Sequence, residues 1–144
     1  MNYLAYMWAE KGLRLDEALK WSLKSLELEP ESPAFLDTLG WIYYMQGDYE
    51  NALKQVQKAA NLMPEDPTIV EHLGDIASKL GKAERAVVYW ERAFVLDPEN
   101  EDLARRLESL GRDVKALREQ ADAKAKAAQD ASGQRGKAGA SEAP

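Results

Sequence analysis

The chain has 144 residues, of which 45% are hydrophobic and 31% charged, and its formal net charge is −6 at pH 7. This length and composition are typical of a single globular domain. There is no cysteine, which excludes disulfides and thiolate metal sites. No run approaches the roughly 20 apolar residues of a membrane span, and Met1 to Glu10 lacks the basic start and cleavage site of a signal peptide. We therefore expect no membrane insertion and no secretion signal in this stretch.

The net acidity of the chain belongs to its first two thirds. Residues 1–98 hold 10 Lys and Arg against 16 Asp and Glu, whereas residues 99–144 hold 9 of each kind. Binding to nucleic acid needs clustered cations that release counterions from the phosphates. Because residues 1–98 carry the opposite charge, we expect no nucleic-acid partner.

Three segments of similar pattern follow one another from residue 1 to about residue 100. Each ends on a proline, and Pro30, Pro64 and Pro98 are 34 residues apart. A fixed period of this length predicts a helical repeat, in which each unit buries its apolar face against the next.

Local signals predict two helices in each repeat. Ser32 and Asp66 each precede a proline, the arrangement of an N-cap before a first helical residue that needs no amide hydrogen. Gly47 and Gly81 stand where a first helix would end in a left-handed residue.

Gly40 and Gly74 lie inside the predicted first helices. Each would destabilise an isolated helix by about 1 kcal/mol relative to alanine. We therefore predict that they permit close approach of the second helix near Ala52 and Ala86.

The residues that recur at helix-packing positions form one motif. The first segment reads Met1-x-x-Leu4-Ala5-x-x-Trp8, then Ala18-x-x-x-Ser22, then Pro30. The second reads Leu36-x-x-Leu39-Gly40-x-x-Tyr43, then Ala52-x-x-x-Val56, then Pro64. The third reads Val70-x-x-Leu73-Gly74-x-x-Ala77, then Ala86-x-x-x-Trp90, then Pro98. These lines resemble the tetratricopeptide repeat, whose pattern runs W-x-x-L-G-x-x-Y, then A-x-x-x-F, then P.

The resemblance implies an all-α fold, a right-handed superhelix of about three helical hairpins with repeats at about 1–32, 33–66 and 67–100. No capping residue precedes Met1, so we expect the chain to be the end of a longer array. It looks like the distal repeats of long bacterial tetratricopeptide proteins, several of them envelope lipoproteins. This implies a bacterial source and leaves cytoplasm and periplasm as alternatives.

A different pattern follows Pro98 and predicts a capping helix over about 100–120. Asn100 is its predicted N-cap. One apolar stripe at helical spacing comprises Leu103, Leu107, Leu110, Val114 and Leu117. The sequence leaves open whether Gly111 interrupts this helix. Residues 121–144 contain no Leu, Ile, Val, Met or aromatic residue, which predicts a disordered or partly helical Ala-rich tail.

In tetratricopeptide proteins the first helices of successive repeats line a concave groove, and the resemblance therefore implies where a partner binds. The predicted partner-binding residues are Tyr6, Asp37, Trp41, Tyr44, Met45, Glu71 and Asp75. Large amphipathic rings carry much of the binding energy in interfaces, which favours Trp41 and Tyr44 as anchors. The alternative is that these rings pack only on neighbouring repeats, or that they covered an upstream repeat that this sequence does not include. Some tetratricopeptide domains hold a terminal carboxylate at such positions, but acidic side chains would repel it, so a basic, partly apolar peptide is the predicted ligand.

Four other apolar residues and the single histidine receive structural interpretations. Inward-facing positions on the second helices predict core locations for Leu26, Leu62, Trp90 and Phe94. His72 is interpreted as an ordinary surface residue, because no second His or Cys would complete a metal site with it.

No catalytic motif is present in the sequence, since it has neither a cysteine nucleophile nor a phosphate-binding glycine loop. We therefore predict no enzyme activity, metal or cofactor. The predicted function is a protein–protein interaction scaffold that binds a peptide or partner protein in the groove. The alternative is a structural or self-association segment of a larger tetratricopeptide protein, for which the open N-terminal repeat allows a homodimer.

Overall fold

The computed structural model describes residues 14–141, and side chains for residues 14–133. Every regular element in this range is an α-helix. The helices are α1 (Leu15–Leu28), α2 (Pro33–Met45), α3 (Tyr49–Leu62), α4 (Pro67–Lys79), α5 (Ala83–Leu96), α6 (Glu101–Ser109) and α7 (Val114–Ser141). They belong to two compact units, Met1–Ala93 and Phe94–Pro144, with the boundary inside α5. The all-α repeat fold predicted from the sequence is confirmed.

None of the helices in the described range combines the length and the apolar content that a transmembrane segment requires.

Three helices begin at N-caps that are spaced by the repeat period. The side chains of Ser32, Asp66 and Asn100 each accept a hydrogen bond from the backbone N–H three residues further on, at 3.3, 3.1 and 3.1 Å. Pro33 and Pro67 then occupy the first helical position. Such a cap stabilises a helix by about 1 kcal/mol. The predicted helix starts are confirmed at all three caps.

Within each of the two complete hairpins, the helices are joined at a glycine. Gly47 and Gly81 have φ values of +80° and +78°, a region that L side chains rarely adopt. The residue after each glycine, Asp48 or Lys82, donates its backbone N–H to the carbonyl five residues earlier, at 2.9 Å in both turns. This bond closes a Schellman turn, and the predicted left-handed helix ends are confirmed.

A third turn of the same kind divides the stretch predicted as one capping helix. Gly111 has φ +77°, and the N–H of Arg112 bonds to the carbonyl five residues earlier at 2.9 Å. The stretch therefore forms two helices, α6 and α7, that contact each other. Leu110 lies in this turn and is 48% exposed, so its predicted place on the buried stripe is wrong.

The rest of that stripe is buried within the second unit. Its buried members are Leu103, Leu107, Val114 and Leu117. Phe94 is also buried, and the Arg118 guanidinium lies 5.6 Å from the centroid of its ring. Within the range of described side chains, Ala121 is the last that is buried, and residues 122–133 are exposed. The backbone nevertheless stays helical to Ser141.

In the first unit, Gly40 and Gly74 make room for the second helix of their own hairpins. A Cβ atom on Gly40 would collide with the Val56 side chain and lie 3.2 Å from the backbone oxygen of Ala52. A Cβ atom on Gly74 would lie 2.5 Å from the indole of Trp90. The predicted close approach is confirmed, and at Gly74 the contact falls one turn further along α5 than expected.

The second helices contribute to the core as predicted at three of four positions. Trp90 and Phe94 are buried, and Leu26 packs against the core cluster around Val56. Leu62 is 45% exposed, so its prediction is wrong. It is the last residue of α3.

Candidate functional site

The predicted partner-binding residues within the described range lie on α2 and α4, the first helices of two consecutive repeats. These helices contact each other directly. We call the surface formed by Asp37, Trp41, Tyr44, Glu71, His72 and Asp75 the α2–α4 face. Met45 follows on the last turn of α2, and Tyr6 falls outside the described residues.

A buried pair of ionisable side chains joins the two helices. The Nδ1 atom of His72 lies 2.8 Å from Oδ1 of Asp37, and the two residues are only 5% and 8% exposed. Burying an ionisable group is costly unless it is paired and hydrogen-bonded. The surface interpretation of His72 is therefore wrong. Asp37, one of the predicted partner-binding residues, directs its carboxylate to His72 of the neighbouring repeat.

Aromatic rings stack on this pair and extend across α2. Trp41 stacks on His72 with centroids 4.3 Å apart and on Tyr44 with centroids 4.5 Å apart. Tyr44 in turn meets the ring of Tyr49 edge-on at 5.5 Å. Each such contact adds about 0.5–1.5 kcal/mol beyond area burial. The rings therefore support the fold, although Trp41 and Tyr44 both remain partly exposed.

The same residues also pack on the helices beside them. Trp41 and Met45 pack against the cluster formed by Ala18 and Ile42, and Tyr44 packs against the larger core cluster. The indole N–H of Trp41 is buried and finds no acceptor within the described part of the chain. Part of the surface of these rings is thus buried by packing on neighbouring helices, as the alternative interpretation predicted.

Two carboxylates on α4 act on the His72 imidazole. Glu71 and Asp75 are partly exposed, and Oδ1 of Asp75 accepts a hydrogen bond from the indole N–H of Trp90 at 3.0 Å. This bond fixes Asp75 and links α4 to α5. Together with Asp37, these two residues place three carboxylates around one imidazole.

The electrostatic surroundings favour the charged form of His72. Burial alone would lower its pKa, but the hydrogen bond to Asp37 and the charges of Asp37, Asp75 and Glu71 more than offset this, so the pKa is raised. An imidazolium beside three carboxylates gains Coulomb energy that a neutral ring does not.

The described residues contain no group of three or more His, Cys, Asp or Glu side chains that could hold a metal ion.

Sequence reasoning missed the roles of Tyr49, His72 and Trp90 in organising the face. The contact between Asp37 and His72 could have been predicted from their spacing, because they are 35 residues apart, one more than the repeat period. Residues at this separation lie on corresponding turns of successive first helices.

Comparison with known proteins identifies the repeat. Family descriptions of the tetratricopeptide repeat match residues 33–66 and residues 69–100. The chain contains tetratricopeptide repeats. The TPR repeat-containing protein PA4667 of Pseudomonas aeruginosa is 42% identical over 52 residues, a segment that makes up 36% of this chain and 9% of that protein. The matched tetratricopeptide segment is thus a small part of a much longer bacterial relative.

Solved tetratricopeptide structures share the fold. The first TPR of Spaghetti (RPAP3), bound to the HSP90 peptide SRMEEVD, has a TM-score of 0.68 at 20% identity and covers 76% of this chain and 86% of its own. The Yersinia enterocolitica type III secretion chaperone SycD, in complex with a peptide of the translocator YopD, has a TM-score of 0.65 at 21% identity, with coverages of 81% and 88%. PcrH with the chaperone-binding region of PopB has a TM-score of 0.62 at 23% identity, with coverages of 81% and 90%. Helical solenoids of this class serve as protein-interaction scaffolds.

Proposed function

We propose that this chain is a protein-interaction scaffold that binds a peptide, or a segment of a partner protein, on the α2–α4 face. The observation that carries the proposal is the stacking of partly exposed Trp41 on His72, an imidazole on which the partly exposed carboxylates of Glu71 and Asp75 also act. Proteins of the same fold support it, since the RPAP3 domain holds an HSP90 peptide and SycD holds a YopD peptide.

The ligand that fits this face is cationic and partly apolar. Glu71 and Asp75 act on the His72 imidazole, on which Trp41 stacks, and Asp37 adds a third, buried carboxylate. An acidic segment such as the HSP90 peptide SRMEEVD would be repelled here. Exposed acids act mainly by steering, over distances up to about 8 Å at physiological salt. The rings supply the apolar area that a partner buries.

The binding test separates charge from packing. Two synthetic peptides are compared, one of alternating lysine and leucine and one with glutamate in place of lysine. Stopped-flow fluorescence at several salt concentrations measures their association and dissociation rates. We expect binding of the lysine peptide alone, with an association rate that falls as salt is raised. Preference for the glutamate peptide contradicts the proposal.

Neutralising variants locate the site. In Glu71→Gln with Asp75→Asn, the charge is removed while an amide oxygen remains to accept the Trp90 hydrogen bond. We expect slower association and a weaker salt dependence. The matched control is Glu27→Gln with Glu84→Gln, which removes the same charge from exposed positions on α1 and α5. Equal effects of the two pairs would place binding elsewhere.

A second candidate function is a structural or self-associating segment of a longer protein. The packing of Trp41 and Met45 against the Ala18 and Ile42 cluster favours it, because these side chains already serve the fold. It predicts a molecular mass that increases with protein concentration in sedimentation velocity, together with no binding of either peptide. A constant monomer mass with lysine-peptide binding rejects it.

A further inference from the structure

His72 is the single histidine of the chain and lies buried where two repeats meet. Its Nδ1 atom faces the Asp37 carboxylate of α2 at 2.8 Å, and its ring is stacked on Trp41. An ionised carboxylate can only accept hydrogen bonds, so Nδ1 carries a proton whether the ring is charged or neutral. The proton that can leave is therefore the one on Nε2.

Each helix packed around the imidazole contributes a defined set of groups. From α2 come Asp37 and the stacked Trp41, and from α4 come Glu71 and Asp75, whose charges act on the ring. From α5, Trp90 donates to Asp75, and from α3, Tyr49 reaches the stack through Tyr44. The charged groups acting on the imidazole in the described part of the chain are thus all carboxylates.

A cationic ligand and the imidazolium compete for the same carboxylates. A positive side chain that docks beside Glu71 and Asp75 is attracted by their negative charges and is repelled by the positive charge of a protonated His72. Binding equilibria at two linked sites change each other by the same factor. The ligand must therefore lower the proton affinity of His72, and loss of the proton must strengthen the ligand.

We propose that His72 regulates the α2–α4 face through its proton: docking of a cationic segment releases the Nε2 proton to solvent, and affinity rises as pH increases. This inference rests on the proposed function, because it requires the ligand to bind at this face. The expected gain in affinity across the His72 titration is roughly two- to fivefold, the size of one partly screened charge interaction.

The test follows the only histidine signal of the protein by NMR. The His72 imidazole is titrated in the free protein and again with the lysine–leucine peptide at saturation. In the free protein we expect a midpoint above the ordinary histidine value of about 6.5, because the surrounding carboxylates raise the pKa. With the peptide bound, we expect the midpoint to fall. An unchanged midpoint with the peptide bound overturns the inference and leaves the proposed function standing.

Calorimetry of the unmodified protein supplies a second measurement. Binding heats in two buffers of different ionisation enthalpy give the number of protons released, and we expect a value between zero and one near the midpoint. Release of no protons overturns the inference. Failure of the lysine peptide to bind at any pH overturns both the proposed function and the proton release.

Variants of the pair then assign the proton. His72→Gln retains an amide N–H for Asp37 but cannot titrate, and we expect its peptide affinity to lose the pH dependence. The matched variant Asp37→Asn keeps the histidine but removes its nearest charge, so the NMR midpoint should fall in the free protein. Proton release that persists in folded His72→Gln overturns the assignment to this residue.

Discussion

The hairpins of the first unit and the α6–α7 hairpin of the second start and turn in the same way but differ in what they can present. Asn100 caps α6 as Ser32 and Asp66 cap α2 and α4. Gly111 adopts the left-handed turn of Gly47 and Gly81. Yet α6 has 9 residues, against 13 in each of α2 and α4. Caps and turns of one kind thus start and end hairpins whose first helices differ in length.

The two units also differ in how their helices meet. In the first unit, Gly40 lets α2 approach the backbone of α3, and Gly74 lets α4 approach the Trp90 side chain of α5. Rings and carboxylates lie on the neighbouring first helices. The second unit buries a simple leucine and valine stripe, and residues 122–133 of its last helix are exposed. Its outer surface is therefore polar over the described side chains.

The largest expected effect comes from removing the second hairpin. Deletion of residues 101–144 should expose Phe94, and loss of one buried phenylalanine costs about 1.5–3 kcal/mol. Urea unfolding should show a lower midpoint. Deletion of residues 122–144 is the matched control and should leave the midpoint unchanged, because residues 122–133 are exposed and residues 122–144 contain no Leu, Ile, Val, Met or aromatic residue. Equal behaviour of the two truncations would contradict the capping role of the α6–α7 hairpin.

A bulky residue at an interior glycine tests the close packing of the first unit. Gly40→Leu places atoms where Val56 and the Ala52 carbonyl already lie, and overpacking of this kind costs typically about 1–3 kcal/mol. The urea midpoint should fall. Glu108→Leu, at an exposed position within α6, is the control and should change it little. A midpoint for Gly40→Leu within error of the parent would show that α2 and α3 can separate without loss.

The turns should respond alike in both units. Alanine at a left-handed position costs about 1–2 kcal/mol, and the space around Gly47 and Gly111 is open in each case. Gly47→Ala and Gly111→Ala should therefore lower stability by similar amounts in thermal unfolding. A much smaller effect at Gly111 would show that the second hairpin tolerates another turn.

The smallest expected effect is a pH dependence confined to the first unit. Because the folded-state pKa of His72 is raised, its protonation stabilises the fold fully below the ordinary value of about 6.5 and loses this contribution as pH rises through the folded-state pKa. Urea midpoints of the parent should fall across that interval. In His72→Gln this component should be absent, and its persistence would assign it to other groups.

The parts of the structure that follow from local chemistry could be predicted from the sequence. Caps such as Ser32 and turns such as Gly47 depend on a few neighbouring residues, and each formed where expected. Gly111 shows the limit of this reasoning, since a glycine among helical residues is compatible with either a turn or a continuous helix. The structure has the turn, and it places Leu110 in solvent.

The candidate site depended on contacts between repeats, which the sequence does not state directly. The pattern of α4 alone predicts a surface position for His72. Its burial comes from residues of α2, since Asp37 bonds to it and Trp41 stacks on it. Trp41 and Tyr44 were correctly placed on a first helix. Their stacking could not be predicted, because side-chain rotamers decide it. Their role in binding stays a prediction.

The contact of Gly74 with the Trp90 indole constrains how this segment can evolve. A side chain larger than hydrogen at position 74 requires the Trp90 indole to move or to be replaced by a smaller residue, and either change would disturb the hydrogen bond that the indole donates to Asp75. The three positions should therefore change together among related sequences rather than one at a time. A lineage that loses the glycine should also have replaced the tryptophan and altered the acid beside it, which would change the charge of the neighbouring surface in the same event.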